Sequence, residues 1–302
     1  GVQQQCVAVG DGVNYEKCEN NPVMTAKQLP SDSNRFDFRD PKVWKAADGS
    51  YRCVMVNCDN KGDGRAVLFE SKDGFSWNFK SILTQNNGKF GKMWECPDLF
   101  RLDGHWFLSF SPQGVTREQN RRQNIYLSGY IPMKGGEDPR TAELDGDFVD
   151  WDYGFDFYAP QTFETRDGRR ILFGWAGMAD ADAEYTVPTA AEGWQHMLTV
   201  PREVTLHEGR LRQNPVKELD AMRLQQLPCK AGETAVVPDT VFDLEIGGMK
   251  GSFELRLNES CVLSFDGKLV SPVCNGVIKD FVGGVATNAV PDRASALVAT
   301  DI

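Results

Sequence analysis

The chain lacks the features that mark several large classes of protein. No apolar run approaches the roughly 20 residues that a membrane-spanning helix needs. Only three histidines occur, and the eight cysteines are scattered without a Cys-x-x-Cys pair, which argues against a zinc site. The formal net charge of -10 argues against nucleic acid or an anionic membrane as partner, because both repel an acidic surface. We therefore expect a globular protein without metal or cofactor.

The chain also lacks a recognisable beginning. Residues 1–6 have neither the basic nor the apolar region of a secretory signal, and the first residue is not methionine. We expect a cut within a longer protein or a processed end, and an incomplete C-terminus as well. A chain of this length does not need disulfide bonds, so free thiols and a cytoplasmic location are expected.

Strand signals dominate, and helical periodicity is scarce. Short apolar runs bounded by Gly, Asp, Asn or Pro predict β-strands at 54–56, 66–69, 106–110, 125–127 and 171–175. The best helical candidate runs from Asn214 to Leu224, with Pro215 at its start. The sequence therefore predicts an all-β protein.

Three Asp-Gly turns divide much of the chain into similar segments. Asp40, Glu95 and Ala159 each stand eight residues before such a turn, in a strand start that contains proline, and a very apolar strand follows. Asp-Gly between strands is a strong hairpin signal, and a period of roughly 55 to 65 residues suits a four-stranded propeller blade. Because the first strand of each blade lines the central channel, we predict that Asp40 and Glu95 lie close together. Three unrelated hairpins in a β-sandwich are the alternative.

The pattern changes from about residue 225. Clean alternation of apolar and polar residues predicts half-exposed antiparallel strands, as in a β-sandwich, at 242–246, 253–257 and 261–267. The predicted parts of the chain are an incomplete propeller domain at 1–214, a linker with helical character at 215–228 and an incomplete β-sandwich at 229–302.

A series of motifs in this chain resembles glycoside hydrolase family 32, the family of invertases and sucrose-6-phosphate hydrolases. Arg39-Asp40-Pro41 and Glu95-Cys96-Pro97 look like its two signature motifs, and the agreement continues at 110–114, 156–163, 169–178 and 198–203. The resemblance implies a five-bladed β-propeller, here without its first blade and part of its second, followed by a partial β-sandwich. It also implies retaining hydrolysis of terminal β-D-fructofuranosyl bonds in sucrose, sucrose 6-phosphate or short fructans.

The resemblance assigns roles to two carboxylates. Glu95 corresponds to the general acid/base, which must carry a proton before attack, and burial or a nearby negative charge favours the protonated form of a carboxyl group. Asp40 corresponds to the transition-state stabiliser. The chemistry suits this role, since an ionised carboxylate accepts hydrogen bonds from ring hydroxyls that strengthen as the ring becomes oxocarbenium-like.

Other residues near these motifs are candidates for binding the substrate. Arg39 could hold Asp40 ionised or bind a hydroxyl, Cys96 could tune Glu95 or simply pack, and Trp175 could stack on a sugar or belong to the core. The complete set of predicted substrate-binding residues is Arg39, Trp94, Cys96, Asp156, Tyr158, Gln161 and Trp175.

One motif of the family is missing from these 302 residues. The catalytic nucleophile of the family is an Asp in a Trp-Met-Asn-Asp-Pro-type motif, and the only distant likeness here, Glu137-Asp138-Pro139, is out of context. A retaining glycosidase without its nucleophile forms no covalent intermediate. We therefore expect the full-length parent to be an enzyme and this chain alone to lack normal turnover.

Several functional alternatives stay open. A fructosyltransferase could use the same scaffold, an arabinan-type glycosidase is disfavoured by Glu-Cys-Pro, and a non-catalytic fructoside-binding propeller is a further possibility. Arg117, Arg121 and Arg122 form a basic loop that could bind the phosphate of sucrose 6-phosphate or could simply be solvated. The sequence leaves the oligomeric state open.

Overall fold

The protein is described by a computed structural model. It describes residues 1–118, 122, 124–153, 157–180, 188–237, 242, 244–245, 251–258, 261–266, 270–274, 277–283 and 294–299. The chain divides into two compact units, residues 1–161 with 177–196, and residues 162–176 with 197–302.

The first unit is built from antiparallel sheets. A short hairpin joins β1 (Ala8–Gly10) to β2 (Tyr15–Lys17). A four-stranded sheet follows in chain order, with β3 (Ser33–Lys45), β4 (Tyr51–Asp59), β5 (Gly64–Ser71) and β6 (Trp77–Gln85). The next sheet contains β7 (Trp94–Leu102), β8 (His105–Pro112), β9 (Gly129–Lys134), β10 (Glu143–Leu144) and β11 (Val149–Asp150), and both β10 and β11 pair with β9.

A third large sheet begins with β12 (Tyr158–Glu164), within which the division between the units falls. It continues with β13 (Arg170–Ala176), β14 (Met197–Leu198), β15 (Arg202–His207) and β16 (Arg210–Pro215), in the order β12-β13-β15-β16 with β14 on β13. Two three-stranded sheets complete the second unit, from β17 (Leu244–Glu245), β18 (Phe253–Asn258), β19 (Cys261–Phe265), β20 (Val270–Cys274), β21 (Val277–Gly283) and β22 (Ala294–Ala299).

Helix is almost absent from the described part of the chain. It is confined to 3-10 helices at Ala26–Gln28, Pro139–Thr141, Pro188–Glu192 and Lys217–Met222. None of these helices is long and apolar enough to cross a membrane. The all-β prediction is confirmed.

Two local predictions were wrong. The helix predicted from Asn214 begins instead as strand, because Asn214 pairs with Glu203 in the β15–β16 ladder, and only a 3-10 helix at Lys217–Met222 follows. The run 125–127 is not a strand, and β9 starts at Gly129. Tyr126 in that run donates its hydroxyl hydrogen to Asp180 Oδ2 at 2.6 Å, a loop contact that an apolar pattern does not reveal.

The two central strands of the β3–β6 sheet, β4 and β5, are buried on both faces, which explains their continuous apolar runs. In β4, Cys53 and Met55 belong to a core that also contains Phe38 and Phe69, whereas Val54 and Val56 face a second core shared with the β7–β11 sheet. An antiparallel sheet with one face in water would alternate apolar and polar residues instead. Covered on both sides, β4 is a rigid support for β3, the neighbouring strand that carries part of the candidate site.

The three Asp-Gly turns close hairpins of two different lengths. In β7–β8, Asp103 and Gly104 form a two-residue turn, with φ of 47° and 84° and Leu102 paired to His105. In β3–β4 the turn is longer, because Ala46 N–H bonds to Ser50 O and Gly49 N–H bonds back to Ala46 O. The same pair of bonds recurs between Thr165, Gly168 and Arg169 in β12–β13.

This difference in turn length shifts the repeat by one residue. Counting back from the turn aligns Asp40 with Glu95. In the structure the equivalent residues are those that directly precede a proline, so Asp40 corresponds to Cys96 and Ala159. These three residues share a left-handed backbone, with φ of 61°, 50° and 49°. The predicted placement of Asp40 and Glu95 at one repeated position was therefore wrong by one residue.

The doubly buried strands generate a stability prediction. Phe69 is completely buried, with its ring 5.7 Å from those of Phe38 and Phe79, whereas Phe36 is 62% exposed. Phe69→Ala should lower the free energy of unfolding by about 3–5 kcal/mol because it leaves a cavity. The matched control Phe36→Ala should change it by less than about 0.5 kcal/mol. Denaturant unfolding followed by tryptophan fluorescence measures both, and equal losses would contradict the assignment of the core.

Candidate active site

The candidate site is built on two bulges, one in the second half of β3 and one near the start of β7. Arg39 pairs with Val56 and Lys42 with Val54, so β3 has one extra residue at this point, and β7 has the same irregularity between Glu95 and Asp98. The extra residue bends a strand and turns the neighbouring side chains, as bulges near functional sites commonly do. Residues at equivalent positions of the two bulges therefore lie close together.

Each of the three left-handed residues is preceded by a residue whose side chain enters the site. We call this set of three side chains the acid row, and it consists of Arg39, Glu95 and Tyr158. Arg39 Nη2 lies 2.8 Å and Nε 3.2 Å from Glu95 Oε1. Tyr158 donates its hydroxyl hydrogen to the other oxygen, Glu95 Oε2. Each oxygen of Glu95 thus has a donor from a neighbouring strand, and its side chain is only 20% exposed.

Arg39 is fixed from a second side. Its Nη1 donates to Asp37 Oδ1 at 2.8 Å and to Gln3 Oε1 at 3.3 Å. Burial opposes the charge of Arg39, but the hydrogen bonds to Asp37 and Glu95 outweigh it and raise the pKa of the guanidinium. Arg39 therefore stays a cation and orients Glu95. Its Nε is 3.9 Å from Asp40 Oδ2, so Asp40 is its more distant acidic neighbour.

Asp40 has different partners from Glu95. Its Oδ2 accepts the backbone N–H of Cys96 at 2.9 Å, and its side chain is 31% exposed. The two predicted carboxylates thus lie on neighbouring strands and close together, as predicted, although Asp40 is in the second half of β3 and not at a strand start. Glu95 is enclosed by side-chain donors, whereas Asp40 is held by a backbone amide. Two carboxylates in unlike environments are suited to unlike tasks.

A second row, the lysine row, contains Lys42, Asp98 and Gln161. Each of these residues directly follows the proline of its segment. Lys42 Nζ lies 3.0 Å from Gln161 Oε1 and 3.5 Å from Asp98 Oδ2. Sequence reasoning missed Lys42 and Asp98, although alignment on the three prolines would have revealed them as the counterparts of Gln161.

Trp94, which directly precedes the Glu-Cys-Pro motif, does not act as the sequence suggested, whereas the role of Cys96 stays a prediction. The indole of Trp94 is fully buried and stacks on Phe110 at 4.1 Å, so Trp94 belongs to the core and offers no face to a sugar. The thiol of Cys96 has its pKa raised to about 12, by burial first and then by the charges of Asp40 and Glu95. Cys96 is therefore a neutral thiol beside the two carboxylates.

Burial, and then the hydrogen bond to Glu95, raise the pKa of Tyr158 far above its usual value, so its hydroxyl stays protonated. The ring of Tyr158 lies 5.5 Å from that of Tyr126, whose hydroxyl bonds to Asp180. Tyr126 and Asp180 extend the polar surroundings of Glu95. No sequence motif singled out either residue.

Four further residues that the sequence singled out are Asp156, Arg121, Arg122 and Trp175. Asp156 and Arg121 lie outside the described residues. Trp175 belongs to the second unit, where it pairs with Leu198. Arg122 donates to Glu118 at 2.8 Å, lies 3.6 Å from Asp150 and covers the ring of Phe148, so this member of the predicted basic loop already has acidic partners.

Comparison with known proteins places the chain in a family. A sequence profile of the glycosyl hydrolases family 32 N-terminal domain matches residues 1–215. The chain belongs to glycosyl hydrolase family 32. It is 44% identical over 223 residues to a protein of Staphylococcus xylosus named sucrose-6-phosphate hydrolase, covering 73% of this chain and 42% of that protein. It is 38% identical over 226 residues to a raffinose invertase of Escherichia coli, covering 74% of this chain and 44% of that protein.

The solved structures agree with this assignment. The GH32 beta-fructofuranosidase BmSUC1 of Bombyx mori matches with a TM-score of 0.70 and 27% identity, over 98% of this chain and 70% of that one. The D63A mutant of that protein, solved in complex with sucrose, gives the same TM-score over 97% of this chain and 69% of that chain. The family resemblance and the predicted propeller-type all-β fold are confirmed, while the number of blades stays a prediction. The chain spans less than half the length of the two relatives matched by sequence.

The site yields a prediction about thiol reactivity. Cys96 and Cys58 have their pKa values raised to about 12 and about 11, chiefly by burial, whereas Cys6 and Cys229 are exposed. Only the thiolate reacts with iodoacetamide, and a thiol with a pKa of about 12 is roughly one part in ten thousand thiolate at pH 8. Peptide mass spectrometry of native protein should therefore find Cys6 and Cys229 alkylated, and Cys96 and Cys58 spared.

The rate at Cys96 should rise about tenfold per pH unit up to about pH 11, because the thiolate is the minor form below the raised pKa. Protein denatured in urea is the control, in which all four thiols react. Rapid alkylation of Cys96 in native protein at pH 8 would contradict this description of the site.

Proposed function

We propose that the protein carrying this chain is a retaining β-fructofuranosidase that cleaves the terminal fructosyl bond of sucrose-type substrates. The observation that carries the proposal is the arrangement at the bulges. Glu95 is held by Arg39 and Tyr158 directly beside Asp40, on strands that bear the Arg-Asp-Pro and Glu-Cys-Pro motifs of the family.

Glu95 is proposed as the general acid and base. In the first step its carboxyl group would donate a proton to the leaving sugar oxygen, and in the second its carboxylate would take a proton from water. Arg39 and Tyr158 hold the group in one orientation, which is what proton transfer along a fixed line requires. The nucleophile of the reaction is proposed to come from the family's Asn-Asp-Pro-type motif, which these 302 residues do not contain.

Asp40 is proposed as the transition-state stabiliser. Its Oδ2 is anchored by the Cys96 amide at 2.9 Å, while part of the side chain stays accessible. A carboxylate that is anchored through one oxygen and is partly accessible can accept hydrogen bonds from sugar hydroxyls without reorganising during the reaction.

The substrate class is proposed from the relatives. The Staphylococcus xylosus protein is named sucrose-6-phosphate hydrolase, the Escherichia coli protein raffinose invertase, and the Bombyx mori mutant was solved with sucrose. Sucrose or its 6-phosphate is therefore proposed here, with no contribution to phosphate binding from Arg122, whose guanidinium faces Glu118 and Asp150. A cytoplasmic location stays a prediction.

A fructosyltransferase on the same scaffold is distinguished by its products. Hydrolysis releases glucose and fructose in equal amounts from sucrose, whereas transfer releases glucose in excess and builds longer fructosides. A non-catalytic fructoside-binding protein would bind sucrose and release neither sugar.

The proposal predicts the effect of changing each carboxylate. In protein expressed from its complete reading frame, Glu95→Gln should lower kcat/KM for sucrose roughly 10²- to 10⁴-fold, because no proton reaches the leaving oxygen. Asp40→Asn should lower it roughly 10²- to 10³-fold, through loss of charge at the transition state.

The matched control is Glu208→Gln, whose side chain is 86% exposed in the second unit and which should be neutral. Release of glucose and fructose, followed by coupled assay or chromatography, measures all three variants. Unchanged turnover in Glu95→Gln would refute the assignment of the acid, and absence of any release by the unsubstituted protein would refute the proposed function.

A further inference from the structure

We propose that Gln161 is a positioning residue that sets the direction of Glu95 by holding the backbone of Cys96, and that it does not bind substrate. The proposal rests on the proposed function of Glu95 as acid and base. The sequence analysis predicted that Gln161 binds substrate, but the described contacts of its side chain are with Lys42 of β3 and with the backbone of Cys96 and Pro97 in β7.

Both ends of the Gln161 carboxamide are engaged. Lys42 Nζ lies 3.0 Å from Oε1, and Nε2 lies 3.1 Å from the carbonyl oxygen of Cys96 and 3.5 Å from that of Pro97. An ammonium group can only donate and a carbonyl can only accept, so the chemistry of the neighbours fixes which end is oxygen and which is nitrogen. The carboxamide is therefore a directed link from Lys42 to the Cys96 backbone.

Lys42 is itself anchored. Its Nζ lies 3.5 Å from Oδ2 of Asp98, whose side chain is only 1% exposed. A buried carboxylate needs a partner, so the attraction keeps the ammonium close to Asp98. The position of the Gln161 carboxamide is thus determined by a charge pair between β3 and β7.

The backbone that Gln161 holds is strained. Cys96 has φ of 50°, a left-handed conformation that is unfavourable for any residue with a side chain. Asp40 Oδ2 binds its N–H at 2.9 Å, and Gln161 Nε2 binds its carbonyl at 3.1 Å. Polar groups from the strands on either side therefore hold one residue, and that residue directly follows Glu95.

The hydrogen bond from Gln161 affects catalysis through the orientation of the Glu95 carboxyl group. If the hydrogen bond from Gln161 is lost, the Cys96–Pro97 segment can relax toward an ordinary strand conformation, and the Glu95 carboxyl group moves with it. A misplacement of about 1 Å can cost a catalytic group on the order of 100-fold in rate. The loss should be selective for substrates whose leaving group needs a proton.

The test compares two leaving groups in protein expressed from its complete reading frame. Gln161→Met removes both polar ends at similar volume, and Gln161→Glu keeps an oxygen for Lys42 while removing the donor to Cys96. In both variants kcat/KM for sucrose should fall roughly 10- to 100-fold. For p-nitrophenyl β-D-fructofuranoside, whose phenolate departs without protonation, it should change by less than about threefold.

Gln85→Met is the matched control. Its carboxamide Nε2 also makes a part-buried hydrogen bond of 3.1 Å, but the acceptor is the carboxylate of Asp63 and Gln85 lies at the end of β6. Both substrates should be turned over normally by this variant. Equal losses for both substrates in the Gln161 variants, or no loss for sucrose, would overturn the positioning role.

A second measurement does not depend on turnover. Hydrogen exchange at the Cys96 amide, which Asp40 binds, should accelerate about tenfold in Gln161→Met because the segment opens more often, and should not change in Gln85→Met. Unchanged exchange would refute the proposal that Gln161 holds the Cys96 backbone, even if sucrose is not a substrate. If exchange accelerates but the protein has no fructosidase activity, the role of Gln161 in holding the Cys96 backbone is supported and only the proposed function is refuted.

Discussion

The site depends on one backbone constraint, a left-handed residue placed directly before a proline in each of three strands, β3, β7 and β12. Asp40, Cys96 and Ala159 adopt this conformation, and in β3 and β7 it coincides with a bulge of one extra residue. The bulge turns the residue before it and the residue after the proline. One position supplies the acid row and the other the lysine row, so the two functional rows are products of the same repeated distortion.

Such a distortion persists only when its surroundings hold it in place. Part of the support is apolar, because β4, the strand paired with β3, is buried on both faces and cannot shift without opening two cores. The rest is polar and links strand to strand, through Arg39 to Glu95, Lys42 to Asp98 and Asp40 to the Cys96 amide. Buried ion pairs contribute little net stability. The contribution of these pairs is geometric, because each joins particular atoms of neighbouring strands.

The sequence predicted what depends on local pattern and missed what depends on three-dimensional register. Apolar runs and Asp-Gly turns correctly predicted the all-β fold and the convergence of Asp40 with Glu95. The alignment was wrong by one residue because Asp103-Gly104 closes a shorter hairpin than Asp48-Gly49, a difference that a count of residues cannot show. The burial of Trp94 was likewise hidden, since which side of a strand faces the core depends on the bulge beside it.

The contacts of Glu95 bear on how a single carboxyl group could serve as both acid and base under the proposed function. A guanidinium can only donate, so Arg39 always requires an acceptor oxygen on Glu95. The hydroxyl of Tyr158 donates to Oε2, but a phenol can also accept a hydrogen bond. When Glu95 carries a proton on Oε2, that hydroxyl can reverse its role without moving, whereas Arg39 stays on Oε1. The acid row therefore tolerates both protonation states at one geometry, with Arg39 as its fixed member and Tyr158 as its adaptable one.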